Sequence, residues 1–115
     1  MKLFMVETTT SDLSASIAWY SAVLGLAPSL LDEANGFALL EGPAGRHSLK
    51  RGTPRPGGVR WHYEVADLNA ELLRLSSLGV RAMSEPKVSA EGYRWAVFHD
   101  PDGYEIALFE WIASG

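Results

Sequence analysis

Residues 97–109, Val-Phe-His-Asp-Pro-Asp-Gly-Tyr-Glu-Ile-Ala-Leu-Phe, decide the fold of this chain. Pro101 presets φ at the first corner of a turn, and Gly103 can adopt the positive φ that returns the chain. Because apolar residues lie on both sides of this turn, the segment predicts a β-hairpin. Side chains alternate along its second strand, so one face carries Ile106 and Leu108 and the other carries Glu105, Ala107 and Phe109.

Outside the hairpin, the chain contains the same helical pattern twice. Asp12 and Asp67 are suited to capping the start of a helix, and Gly25 and Gly79 are suited to ending one. Between them, apolar side chains recur at the helical period: Leu13, Ile17, Tyr20 and Val23 in the first pattern, and Leu68, Leu72, Leu75 and Leu78 in the second. The sequence therefore predicts two amphipathic helices.

Strand-like segments surround each helix in the same order. One segment precedes each helix, at 3–9 and 59–65, and three follow it, at 27–32, 36–41 and 46–51 and at 80–87, 93–99 and 104–111. We therefore predict a single α+β domain, residues 1–115, made of two βαβββ modules at about 1–52 and about 59–115 with a Gly/Pro-rich linker at 53–58. Since one helix covers only one face of a sheet, we expect the modules to form a curved, partly open mixed β-sheet cleft.

Composition narrows the function classes. The chain of 115 residues has no long apolar run and no signal-peptide pattern, which predicts no membrane association. The net charge of −4 argues against a nucleic-acid surface. The absence of cysteine excludes thiol catalysis and fits a cytoplasmic protein. Nucleophile-elbow and phosphate-binding glycine motifs are also missing, so no catalytic residue and no cofactor are predicted.

Three motifs together point to a known family. Trp19-Tyr20-x-x-Val23-Leu24-Gly25-Leu26 follows Ser11-Asp12-Leu13, Glu64-Val65-x-Asp67-Leu68 enters the second helix, and Asp100-Pro101-Asp102-Gly103 forms the turn. In this order and spacing they resemble the vicinal oxygen chelate superfamily. That superfamily includes glyoxalase I, extradiol dioxygenases, fosfomycin resistance enzymes and bleomycin-binding resistance proteins. The resemblance covers nearly the whole chain.

The resemblance implies four metal-ligand positions, two in each module. Counted along this sequence, they fall on Met5, Ser48, Arg60 and Ala107. Divalent cations in this family are held by His, Glu or Gln side chains, and these four residues offer none of them. The usual metal site is therefore predicted to be dismantled.

A displaced metal site is the alternative. Glu7 and His62 lie one side-chain step along from Met5 and Arg60. If the last strand runs antiparallel to the strand of His62, Glu105 lies one step in the matching direction. Glu7, His62 and Glu105 would then hold the metal of a lyase, isomerase or dioxygenase.

A metal-independent binding protein is the preferred interpretation. The predicted ligand-binding residues are Glu7, Ser48, Arg60, His62, Tyr93, Trp95, Glu105 and Phe109. Aromatic plates with a few polar groups suit an aromatic or amphipathic small molecule, bound or sequestered in the manner of bleomycin resistance proteins. The alternatives are structural: an ion pair of Arg60 with Glu7 or Glu64, and packing of Trp95 and Phe109 in the core or a dimer contact.

Two further expectations concern neighbouring features. His47 is placed on an edge-like strand, with little to favour it as a ligand. The family resemblance, together with the open sheet edges, implies a homodimer, either with or without exchange of modules between chains.

Overall fold

The computed structural model describes residues 1–112, which form eight strands and two helices. In chain order they are β1 (Val6–Thr10), α1 (Leu13–Leu24), β2 (Ala27–Asp32), β3 (Phe37–Gly42), β4 (Gly45–Arg51), β5 (Arg60–Glu64), α2 (Leu68–Ser77), β6 (Lys87–Val88), β7 (Tyr93–His99) and β8 (Glu105–Trp111). The chain divides into two compact units. The first unit contains Met1–Pro56 with Asp100–Asp102, and the second contains Gly57–His99 and, within the described part of the chain, residues 103–112.

The first unit is a four-stranded sheet with α1 packed on it. The strand order is β1-β4-β3-β2, with β1 parallel to β4 and the other pairs antiparallel. Helix α1 begins where expected, because the Asp12 side chain accepts a hydrogen bond from the backbone N–H of Ala15 at 3.0 Å. It ends at Gly25, whose φ of 70° is the left-handed conformation that glycine adopts without strain.

The core of the first unit lies between α1 and one face of its sheet. From the helix, Leu13, Ser16, Tyr20 and Val23 are buried; from the sheet, Ala38, Leu40, His47 and Leu49 are buried. Their burial removes apolar surface from water, which is the main favourable term in folding. The core face predicted for the first helix is thus confirmed at Leu13, Tyr20 and Val23, while Ile17 is only half-buried.

The second unit repeats this arrangement with α2. Its strand order is β5-β8-β7-β6, with β5 parallel to β8 and the other pairs antiparallel. Asp67 caps α2 by accepting a hydrogen bond from the N–H of Ala70 at 3.0 Å. Leu68 and Leu75 of the helix are buried, as are four residues on one face of the sheet: Ala96, Phe98, Ile106 and Leu108. Two mixed sheets with one helix each confirm the predicted α+β fold of two βαβββ modules.

Two predictions for the second unit are wrong in detail. The strand predicted at 80–87 is present only as Lys87–Val88, because Pro86 has no N–H to give to a ladder. Met83 instead donates a single backbone hydrogen bond to the carbonyl of Val97 at 2.8 Å. Leu78 was expected on the core face but is 49% exposed, since it follows the last residue of α2 and has left the helical repeat.

Candidate functional site

The face of the second sheet opposite to its buried helix side carries most of the predicted binding residues. Its register places Arg60 beside Glu105, His62 beside Ala107, Trp95 beside Phe109, and Tyr93 beside Trp111. Directly paired residues point to the same face of a sheet, so all of these side chains share one face. It is the face opposite to Ile106 and Leu108, which are buried on the helix side.

Five rings form a continuous cluster on this face, which we call the aromatic face: His62, Tyr93, Trp95, Phe109 and Trp111. Phe109 lies at its centre, with ring centroids 6.3 Å from His62, 5.6 Å from Tyr93 and 5.4 Å from Trp111. The ring of His62 is 6.5 Å from that of Trp95, and Tyr93 is 5.7 Å from Trp111. Most of these pairs are edge-to-face, a geometry that ring quadrupoles favour.

One end of the aromatic face is charged. A guanidinium nitrogen of Arg60 donates a hydrogen bond to Glu105 Oε1 at 3.0 Å, and the two side chains are 33% and 32% exposed. The guanidinium carbon of Arg60 also lies 5.1 Å from the centroid of Trp95, and Lys87 Nζ lies 5.7 Å from the same ring. Two cations and one carboxylate therefore surround Trp95.

Two cavities open on this face. The larger, of about 250 Å³, is lined by four members of the aromatic face: His62, Tyr93, Phe109 and Trp111. The smaller, of about 90 Å³, lies at the charged end and is lined by Arg60, Met83, Ser84, Lys87, Trp95, Ala96, Val97 and Glu105. Trp95, which lines the smaller cavity, is the cross-strand neighbour of Phe109, which lines the larger one.

The register corrects two predictions about Glu105. Strand β5 is parallel to β8, so Glu105 lies beside Arg60, one side-chain step away from His62, and not beside His62 as the displaced metal site required. Arg60 also pairs with Glu105, whereas the sequence suggested Glu7 or Glu64 as its ionic partner. Within residues 1–112, no group of three or more His, Asp or Glu side chains is arranged to hold a metal ion.

The positions that the family resemblance implies for a metal do not fit one. In the second unit, Arg60 brings a fixed positive charge, and Ala107 is fully buried and has no donor atom. In the first unit, the buried hydroxyl of Ser48 donates to Glu7 Oε1 at 3.3 Å, and Met5 supplies only a thioether. These residues lack the imidazole and carboxylate ligands that divalent cations prefer.

The structure thus groups six of the eight predicted binding residues in the second unit: Arg60, His62, Tyr93, Trp95, Glu105 and Phe109. The other two, Glu7 and Ser48, are neighbours on β1 and β4 of the first unit. Sequence reasoning left Lys87 and Trp111 out of the site. Lys87 was missed because the strand was predicted at 80–87 and its register with β7 was not known. The observed short strand β6 pairs Lys87 directly with Trp95.

His47 differs most from expectation. Strand β4 lies between β1 and β3 and is not an edge strand, and His47 is 1% exposed. Its Nε2 lies 2.8 Å from Thr8 Oγ1, and its ring lies 4.5 Å from that of Tyr20. Burial disfavours the charged imidazolium and lowers the pKa of His47 to about 4. The residue is therefore a neutral part of the first unit's core.

The turn that decided the fold belongs, by its contacts, to the first unit. Tyr20 donates a buried hydrogen bond from its hydroxyl to Asp100 Oδ2 at 2.6 Å. Asp102 accepts hydrogen bonds from the N–H and hydroxyl of Ser11 at 3.1 and 3.0 Å, and from the hydroxyl of Ser16 at 3.2 Å. Burial alone would raise the pKa of Asp102, but hydrogen bonds from Thr10, Ser11 and Ser16 outweigh it and lower that pKa.

Comparison with known proteins identifies the family. The family model of the Glyoxalase/Bleomycin resistance protein/Dioxygenase superfamily matches residues 2–108. The chain therefore belongs to this superfamily. No curated protein matches the sequence. Neither helix within residues 1–112 is long and apolar enough to cross a membrane.

Solved structures share the fold at low sequence identity. A glyoxalase/bleomycin resistance protein/dioxygenase from Nocardioides has a TM-score of 0.80 at 24% identity, covering 100% of this chain and 86% of that one. A glyoxalase-related enzyme from Clostridium phytofermentans has a TM-score of 0.79 at 17% identity, covering 97% and 96%. Lactoylglutathione lyase from Agrobacterium tumefaciens has a TM-score of 0.77 at 17% identity, covering 95% and 92%. These similarities concern the fold, on which many activities occur.

Proposed function

We propose that this chain is a small-molecule-binding protein that holds an aromatic or amphipathic compound on the aromatic face without a metal ion. The observation that carries the proposal is the cavity of about 250 Å³ lined by His62, Tyr93, Phe109 and Trp111. Its walls are four rings, and it lies on the face of the second sheet opposite to the buried Ile106 and Leu108. A planar apolar ligand would stack on these rings and remove both surfaces from water.

Polar groups near the cavity support a bound and oriented ligand. Ligand sites are mostly apolar with a few placed polar groups, and Arg60 and Glu105 supply these at one end of the aromatic face. The absence of metal-ligand chemistry at Met5, Ser48, Arg60 and Ala107 supports binding that does not require a cation. Glu7 and Ser48, although predicted as binding residues, form their hydrogen bond within the first unit.

Binding of 2-naphthamide, a neutral two-ring probe, tests the proposal. We expect it to raise the melting temperature and to quench tryptophan fluorescence, because Trp95 and Trp111 belong to the aromatic face. Replacement of the central ring, Phe109→Ala, should weaken binding about 10-fold or more, as expected for about 1.4 kcal/mol of lost contact. The matched control is Phe4→Ala, which removes an exposed ring of the first unit.

Circular dichroism must first show that both variants are folded. Equal weakening by the two substitutions would place the ligand elsewhere and overturn the proposal. Affinity for 2-naphthamide is also expected to be the same in EDTA as after addition of zinc, manganese or nickel. Loss of binding in EDTA, restored by one of these ions, would refute metal independence.

A further inference from the structure

The charged end of the aromatic face carries a cation that the protein itself does not neutralise. Among the charged side chains around Trp95, Arg60 is paired with Glu105 at 3.0 Å. Lys87 forms no ion pair with any part of the chain that the structure describes, although it lies 5.7 Å from the Trp95 ring. The local balance is therefore one positive charge in excess.

This cation lines the smaller cavity. Arg60, Lys87 and Glu105 surround about 90 Å³ together with Trp95, and Ser84 adds a hydroxyl. A space of this size suits a small polar group better than a ring. Since the Arg60 guanidinium has five N–H donors and one of them bonds to Glu105, others are available for a second acceptor.

We propose that the site takes an aromatic anion, with its ring in the larger cavity and a carboxylate or similar anionic group in the smaller one. The inference rests on the proposed function, because it assumes that the ring binds the aromatic face. Lys87 supplies the neutralising charge, and Arg60 orients the anion by hydrogen bonding while Glu105 holds the guanidinium in place. Two lining residues, Trp95 of the smaller cavity and Phe109 of the larger, are directly paired across β7 and β8, which is close enough for one compact molecule to contact both.

The nature of the charges also favours an anion over a cation. A cationic group would meet one carboxylate whose charge is already balanced by Arg60, together with two like charges, Arg60 and Lys87, that repel it. An anion gains from both cations and leaves the existing ion pair intact. Because the site is partly exposed, its preference for the anion is expected to be screened by salt.

Calorimetric titration with 2-naphthoate and 2-naphthamide tests the inference. The two probes have the same ring system and differ in charge. We expect 2-naphthoate to bind at least five-fold more tightly than 2-naphthamide at low salt, and the ratio to fall as salt is added. In Lys87→Gln the ratio should approach one through loss of naphthoate affinity, whereas naphthamide affinity stays the same. Lys2→Gln, an equal charge change in the first unit, should leave the ratio unaltered.

The outcomes separate this inference from the proposed function. If both probes bind equally and both depend on Phe109, the aromatic site stands and the anionic preference is wrong. If the naphthoate preference survives in Lys87→Gln, the assignment to Lys87 is overturned. If neither probe binds, the proposed function fails, and the inference fails with it.

Discussion

His47 shows how one residue can link the stability of the first unit to pH. It is held neutral in the core, hydrogen-bonded to Thr8 and stacked against Tyr20. In the unfolded chain the same imidazole has its ordinary pKa near 6.5. Between that value and the folded pKa of about 4, the unfolded chain binds a proton that the folded protein does not.

The free energy of unfolding should therefore fall as pH decreases from about 6.5 to about 4, by about 3 kcal/mol at most. Above this window His47 is neutral in both states and contributes no slope. Urea denaturation at about pH 7 and about pH 5 measures the effect. His47→Gln should remove most of the slope, whereas His99→Gln, at an exposed position, should keep it. An unchanged slope in His47→Gln would contradict the assignment.

Among the elements, helix α1 is stabilised by an N-cap, Asp12, that the sequence predicts. The Asp12 carboxylate accepts from the N–H of Ala15, one of the backbone donors that the first turn leaves without a helical partner. Asp12→Ala should lower the free energy of unfolding by about 1 kcal/mol. Asp12→Asn keeps an acceptor oxygen and should cost only a few tenths, as measured by denaturation at neutral pH. An equal loss in both variants would mean that the charge of Asp12, and not its hydrogen bond, stabilises the helix.

Elements with strong local signals were predictable from sequence. Both helices begin after the predicted Asp residues, and the strands at 27–32 and 93–99 have the predicted bounds. The structure of the segment 80–87 was not predictable. Alternation in a stretch that contains proline does not reveal whether a neighbouring strand pairs with it by backbone hydrogen bonds. Element type follows from local pattern, but edge pairing depends on tertiary neighbours.

The candidate site likewise has features that the sequence predicts and features that it does not. Alternation along β5, β7 and β8 correctly placed six predicted residues on one face of the second sheet. The ionic partner of Arg60 was wrong because strand direction and register are set by which strands become neighbours, which alternation does not encode. Burial of His47 was missed for the same reason, since a strand reads as central only when both of its partners are known.

At the scale of the molecule, the first unit is discontinuous in sequence. Residues 1–56 form its sheet and helix, but Asp100 and Asp102 provide acceptors for Tyr20, Ser11 and Ser16. A buried hydroxyl that loses its acceptor costs about 1–3 kcal/mol. A unit of this size is already marginal in stability.

A fragment of residues 1–56 should therefore be unfolded by circular dichroism. Tyr20→Phe should destabilise the full chain by about 1–3 kcal/mol, because it removes a buried hydrogen bond to a carboxylate. A fragment that unfolds cooperatively with the stability of the full chain would contradict this dependence.

The hydrogen bond between Tyr20 and Asp100 also sets an order of events on the ribosome. Its two partners are separated by 80 residues, which at usual rates of translation corresponds to about 4–16 s. Helix α1 leaves the exit tunnel long before the carboxylate that completes its surroundings has been synthesised. Until Asp100 has been translated, the first 56 residues are a nascent chain whose Tyr20 lacks its acceptor, and they are open to chaperones and proteases.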